Sequence, residues 1–189
     1  MIAVRRLEEG DVPSVLRISL AELGSDYLSE TDFADAMADD EQFCNVAVMD
    51  GSVVGFAICR VFGPGSEPEV LGLPDCPERD VVLSTDMIGI LDSVAVDDSA
   101  KGRGAGSAMC SACVDEMTAA GCGMVCAMAW RSTTGRTNIA GILRGLGMAE
   151  TVAIPGYWNR MVDSPGGHDC PECGAPCRCH GVFWYRTLP

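Results

Sequence analysis

Apolar residues recur along the chain in two rhythms, and the places where one gives way to the other divide it into elements. Ile2 to Leu7 alternates and predicts a strand. Asp11-Val12-Pro13 combines an acidic cap with an early proline ahead of Val15, Leu16, Leu20 and Leu23, which predicts a helix. Thr31-Asp32 opens a second, shorter one. Phe43 to Met49 and Ser52 to Phe62 read as strands joined by Asp50-Gly51, the dipeptide favoured in two-residue hairpin turns, so they form an antiparallel pair. Gly63 to Asp80, with four prolines and three glycines, reads as a long loop. Val81 to Val96 is expected to be extended, with a bend near Gly89. A helix follows from Gly104, covering Ser107 to Ala120. Gly123 to Trp130 is a continuous apolar run and reads as a buried strand, and Thr137 to Leu146 is helical with Gly147 as its cap. Ala149 to Ile154 and Val182 to Leu188 are the last strands, separated by an excursion rich in Gly, Pro and Cys. Seven strands and about four helices in this order describe one α/β (α+β) domain over residues 1–189, a mixed sheet with helices on both faces.

Composition narrows the choice of partner. The chain has 189 residues and a formal charge of −14, so DNA gripped by a general basic surface is not expected. The charge is uneven: the first hundred residues carry 21 acidic and 5 basic side chains, the remainder 6 and 8. An anionic ligand is therefore expected on the second half. No apolar run reaches the length of a membrane span, and Arg5, Arg6, Glu8, Glu9 and Asp11 interrupt the N-terminal region, so no membrane association and a cytoplasmic location are expected. Seven of the eleven cysteines (44, 59, 76, 110, 113, 122 and 126) are scattered singly through apolar runs, where cysteine packs as a small hydrophobe.

The chemistry concentrates in two places. Lys101-Gly102-Arg103-Gly104-Ala105-Gly106 lies between the apolar strand ending at Val96 and a helix, a context in which glycines let backbone approach an anion and the helix start offers free N–H groups. The second place is Cys170-Pro171-Glu172-Cys173-Gly174 followed by Cys177 and Cys179, with His168 and His180 beside them. Cys-Pro-x-Cys-Gly is a zinc-knuckle form, and four thiolates suffice for a tetrahedral site. A site shared between subunits, an iron–sulfur centre, a redox disulfide pair and reduced metal-free thiols stay open alternatives.

The chain resembles the GNAT acyltransferase superfamily over roughly residues 1–162. Lys101, Gly104 and Gly106 hold the places of the family's Arg/Gln-x-x-Gly-x-Gly/Ala signature, with Val96-Asp97-Asp98-Ser99-Ala100 as its lead-in. Val4-Arg5-Arg6 to Asp11-Val12-Pro13 matches the family's opening, and Leu146-Gly147-Met148 stands where a Leu-Gly-Phe ends the last helix. The resemblance implies a mostly antiparallel central sheet and acetyl-CoA as cosubstrate. It places the pyrophosphate on Lys101, Gly102, Arg103, Gly104, Ala105, Gly106 and Ser107, the pantetheine arm along the main chain of Val94, Ala95 and Val96, and Asn138 or Arg136 near the cofactor. It further implies direct attack by a primary amine, on a small molecule or a protein, with Asp92 as base and Asp86 as the second candidate. The family's proton-donating Tyr is replaced by Leu143, and Tyr157 is the substitute from the next segment. On this reading residues 163–180 are a cysteine-rich insertion between the last two strands, bordering the acceptor entrance. A CoA-binding sensor and a knuckle that binds a macromolecule are the alternative functions. A homodimer is an open assembly state.

Overall fold

The computed structural model describes residues 1–25, 27–63, 71–163 and 165–189. Seven strands form one sheet in the order β1-β2-β3-β4-β5-β7-β6. They are β1 (Ile2–Arg6), β2 (Gln42–Met49), β3 (Ser52–Phe62), β4 (Ile88–Val96), β5 (Met124–Arg131), β6 (Ala149–Pro155) and β7 (His180–Thr187). Every adjacent pair is antiparallel except β4 and β5. These two are joined by the longest helix, α4 (Ala105–Ala119), because parallel neighbours need a crossover. The β2–β3 turn has φ of +52° at Asp50 and +81° at Gly51, the left-handed pair that a two-residue hairpin requires.

Helix α4 packs on one face of the sheet, burying Met109, Cys110, Cys113, Val114 and Met117 against Ala57, Cys59, Leu91 and Val125. The short α5 (Ala140–Gly145) adds Leu143 to this core. Two glycines let the layers approach: a Cβ on Gly89 would lie 2.5 Å from Met117 Sδ, and one on Gly106 would lie 2.8 Å from Ile142 Cδ1. The opposite face is covered by α1 (Val12–Leu23) and α2 (Glu30–Ala38), whose Val15, Ile18, Phe33 and Ala36 pack on Val46, Phe56, Ile58 and Ala95. Helix α1 is tied to the sheet at its start, where the Arg5 guanidinium grips Asp11 through contacts of 2.5 and 2.9 Å. That pairing holds the Asp11 carboxyl below the usual carboxylate range.

The stretch from 81 to 96 differs from its expected form. Residues Pro77–Leu83 form a helix, α3, and the strand begins only at Ile88. Pro77 at the first position with Glu78 and Asp80 in the first turn is a helix start, and only Val82 of the Val81-Val82-Leu83 run is fully buried, as one face of a short helix requires. The described part of the expected loop, 71–76, leads into it. Irregularity in β4 falls at Asp92 rather than Gly89. Helix α5 starts at Ala140 because Thr137 is held by the β5 turn through a bridge to Arg131. Among the described residues no helix is long and apolar enough to cross a membrane.

Phe33 and Phe56 are fully buried and meet edge-to-face with centroids 5.1 Å apart, joining α2 to the sheet. Phe33→Ala is expected to lower stability by about 3–5 kcal/mol in urea unfolding; a loss below 1 kcal/mol would mean that α2 does not depend on this contact.

Candidate active site

Strands β4 and β5 are hydrogen-bonded from Ile88↔Met124 to Leu91↔Ala127 and no further. Beyond that point β4 stays on β3 and β5 stays on β7, so the two diverge and open a cleft. The edge of β4 that faces it carries backbone groups with no strand against them. Leu91 to Ala95 form one wall and Ala127 to Trp130 the other; Tyr27 meets Trp158 and His168 in a ring cluster of the lining, and Lys101 and Asn138 also line it. The space is about 970 Å³ with the open solvent at its mouth included.

The glycine turn adjoins this cleft through Lys101, the one residue of Lys101 to Ser107 that lines it. Gly102 and Gly104 have φ of +73° and +91°, which L-residues adopt only with strain. Gly104 is the cap of α4, and the first bond back from the helix is Ala108 N–H to the Gly104 carbonyl at 3.0 Å. The N–H groups of Ala105, Gly106 and Ser107 therefore have no acceptor inside the helix and converge at its positive end. A Cβ on Gly102 would meet nothing within 4 Å, so the outer side of the turn is open. Lys101 reaches Glu22 Oε2 at 2.6 Å and Asp98 Oδ1 at 3.3 Å, pinning the turn to the end of α1.

Asp92 sits at the divergence itself. Cys59 pairs with Leu91 and the adjacent Ile58 with Ser93, so Asp92 is the extra residue of a bulge. The bulge changes the phase of the strand: Leu91, Val94 and Val96 all face α4. Burial pushes the Asp92 carboxyl above the usual range, opposed by the Arg60 guanidinium, whose Nε lies 3.8 Å away, and by the Ser93 hydroxyl. That Nε has no hydrogen-bond partner among the described residues, so its charge is directed at the carboxylate across a short gap.

Residues 12–140 match the acetyltransferase (GNAT) family. The chain belongs to the GNAT family. No curated protein matches it in sequence. In fold it is similar to the ribosomal-protein-S18-alanine N-acetyltransferase of Escherichia coli, with a TM-score of 0.64 and 16% identity over 100% of this chain and 94% of that one. It is also similar to the Drosophila melanogaster polyamine N-acetyltransferase, with a TM-score of 0.66 and 13% identity over 100% of both chains. A chain of the NatC complex bound to Gag peptide and CoA gives a TM-score of 0.68 and 13% identity, over 100% of this chain and 99% of that one.

Within this GNAT frame the remaining candidates divide. Asn138 is exposed at the cleft, whereas Arg136 is exposed in the β5–α5 turn and does not line it. Asp86 lies exposed ahead of β4, also outside the lining. Leu143 is fully buried against α4. Tyr157, in a short 3-10 turn after β6, is 2% exposed and donates its hydroxyl to the Leu71 carbonyl at 3.1 Å. Its ring stands edge-on to Trp158, and Gly181 makes room for it, since a Cβ there would lie 2.5 Å from Tyr157 Cγ. Burial pushes this phenol up to about 12. Tyr27, which the sequence pattern does not single out, enters from the α1–α2 connection and borders both Asp92 and Trp158. Its phenol is raised first by burial and then by the Asp92 carboxylate. No local motif marks such a residue; the signal is an aromatic in a connection that the topology brings over β4.

The cysteines of the excursion converge. The sulfurs of Cys170, Cys173, Cys177 and Cys179 all lie within 4.8 Å of one another, with separations of 3.7 Å for 173–179 and 3.9 Å for 170–179 and 173–177. Four thiolates at about 2.3 Å from one tetrahedral ion stand about 3.8 Å apart, whereas a disulfide brings its sulfurs to about 2.05 Å. Cys170, Cys177 and Cys179 are at most 3% exposed, and the Arg178 N–H points at Cys173 Sγ from 3.3 Å. Burial pushes the Cys177 and Cys179 thiols up, the latter to about 12; a divalent cation is the charge that converts such thiols to thiolates. The donor set fits a single metal ion.

Arg60→Met removes the one positive charge that, among the described residues, opposes burial at Asp92, so the Asp92 carboxyl should titrate at higher pH than in the parent protein. Carboxyl-carbon NMR titration checks it; an unmoved or lowered midpoint would show that Arg60 does not act on this group.

Proposed function

We propose that the protein is an N-acetyltransferase that moves the acetyl group of acetyl-CoA to a primary amine by direct attack in a ternary complex. The observation that carries the reading is the β4–β5 cleft with a glycine turn of open amides beside it and a half-buried carboxylate at its apex. In this assignment the pyrophosphate rests on the turn from Lys101 to Ser107, close to Asn138. The pantetheine arm lies along the free edge of β4 at Val94 to Val96, and an N–H of that edge faces the thioester oxygen. Acetyl-CoA is the cosubstrate and zinc the structural ion on Cys170, Cys173, Cys177 and Cys179.

Asp92 is the base. An arriving amine is mostly protonated at neutral pH and must lose a proton to attack. A carboxylate with a raised proton affinity is better suited to that task than an ordinary surface aspartate. As the nitrogen–carbon bond forms and the carbon–sulfur bond breaks, the nitrogen gives up a proton and the sulfur gains one, so no net charge accumulates in the cleft. Tyr157, whose hydroxyl donates to the Leu71 carbonyl, packs edge-on to Trp158 at the cleft and stays the candidate proton donor to the departing sulfur. Tyr27 and Trp158 offer ring faces to a cationic amine, and together with Asp92 they favour an amine over an anionic acceptor.

Thiol release from acetyl-CoA with a panel of agmatine, polyamines and peptides beginning with alanine tests the assignment; no release with any amine, together with no CoA binding, would sink it. In the same assay kcat/KM should fall as pH drops through an apparent pKa above the ordinary aspartate value of about 3.9. Asp92→Asn should remove that limb and lower kcat by about 10²–10⁴. Gly104→Val forces a branched side chain into a left-handed backbone, a strain of about 1–2 kcal/mol. It also puts atoms where the diphosphate approaches. CoA affinity by calorimetry should drop at least about tenfold, and an unchanged affinity would move the diphosphate off this turn.

A further inference from the structure

The cysteine cluster is joined to the cleft by more than proximity. Its sulfurs belong to an apolar cluster with Tyr157 and Trp158, against which Tyr27, Met128 and Trp130 pack, and all of these five side chains except Tyr157 line the cleft. Asn159 stitches the knuckle to the turn that carries Trp158: its Nδ2 donates to the Cys177 carbonyl at 2.8 Å, and its Oδ1 accepts from the N–H groups of Cys177 at 2.8 Å and His168 at 3.1 Å. The Gly156 N–H reaches the Cys179 carbonyl at 3.0 Å. From this base the knuckle extends two contacts to loops that belong to other parts of the chain. Ser25 Oγ lies 3.4 Å from Asp169 Oδ2, and the Glu172 carboxylate accepts from both the N–H and the hydroxyl of Thr133 at 3.2 Å. On the α1–α2 side the fit is tight enough that a Cβ on Gly24 would lie 2.6 Å from the Asp169 carbonyl oxygen, and the Tyr27 and His168 rings stand 5.6 Å apart.

We propose that Cys170, Cys173, Cys177 and Cys179 hold one zinc ion, and that the metal-held segment 165–180 is the wall on the acceptor side of the cleft, so that metal occupancy sets recognition of the amine and leaves CoA binding untouched. This rests on the transferase reading for the identity of the cleft's two ends. The separation of roles follows from geometry. The glycine turn and α4 are built on β4 and the α4 core, which owe nothing to the knuckle. Tyr27, Trp158, His168 and Pro171 meet only because the knuckle spans the α1–α2 loop, the turn after β6 and the β5–α5 loop. An excursion rich in Gly and Pro buries too little apolar surface to hold that bridge by itself, and ion coordination supplies the missing folding free energy.

The full chain purified without added metal should contain about one zinc per molecule by elemental analysis. A content below about 0.1 would overturn the site. Displacing the metal with a mercurial, followed by reductant and chelator, should speed hydrogen exchange about tenfold or more around Tyr27, Thr133, Asn159 and Cys177, with β4 and the start of α4 unchanged. CoA affinity should stay within about twofold, while KM for whichever panel amine is turned over rises about tenfold or more. Cys173→Ser, at the half-buried ligand, should reproduce the pattern and lose zinc. Unchanged exchange on metal removal overturns the wall, and so does loss of protection throughout the chain, which would make the ion a support of the whole fold. Absence of CoA binding in both forms counts against the transferase reading alone and leaves the metal and exchange results to decide the wall.

Discussion

Strand β4 keeps β3 beside it along its whole length and β5 along only its first half. The bulge at Asp92 falls where the second partner leaves. It turns Val94 and Val96 toward α4 and leaves the carboxylate at the corner of the opening. A regular strand in this place would remain paired, and the sheet would have no gap. The features of the proposed site share that one departure from pairing: the unpaired backbone edge, the half-buried acid with Arg60 behind it and the room for a ligand between strands that are covalently joined through α4.

The two ends of the cleft are built differently. The anion-facing end is local, a six-residue turn between a strand and a helix, pinned to α1 by a lysine. The other end is assembled from the α1–α2 connection, 144 residues away in sequence at the Ser25–Asp169 contact, and from the turn after β6 and the cysteine knuckle, which Asn159 joins to each other. Local construction suits a cosubstrate held by main chain, since backbone amides tolerate change in the side chains around them. A wall made of side chains from distant segments can vary without disturbing the sheet, which is how one fold serves many acceptors.

That difference also decides what could be read from the residues alone. The hairpin at Asp50-Gly51, the strand leading to Val96 and the glycine turn are short-range patterns, and the structure has each where spacing places it. Asp92 was readable as an acid on the right strand; its exposure to Arg60 was not, since that needs the β3–β4 register. Helix α3 was missed because Pro77 and the apolar Val81-Val82-Leu83 run imitate a loop followed by a strand, while the acids of its first turn were the correct cue. Tyr27 carries no pattern of its own, and Tyr157 looks free in sequence until the chain folds its hydroxyl onto Leu71. The spacing of the four cysteines suggested one cluster, and their sulfurs do converge, but the cluster's contact with the cleft depends on long-range packing.

The scattered cysteines have a consequence of their own in a member of an acetyltransferase family. A thiolate within reach of an activated acyl group would exchange with it and leave the protein acylated on itself. Cys126 stands on β5, two residues before the cleft wall at Met128, yet it is fully buried and faces the layer beneath with Phe183. Burial pushes its thiol, and those of Cys44, Cys59 and Cys110, upward, Cys44 and Cys110 to about 12. Kept protonated and buried, these sulfurs are poor nucleophiles, and a cysteine-rich core is compatible with the proposed acyl transfer.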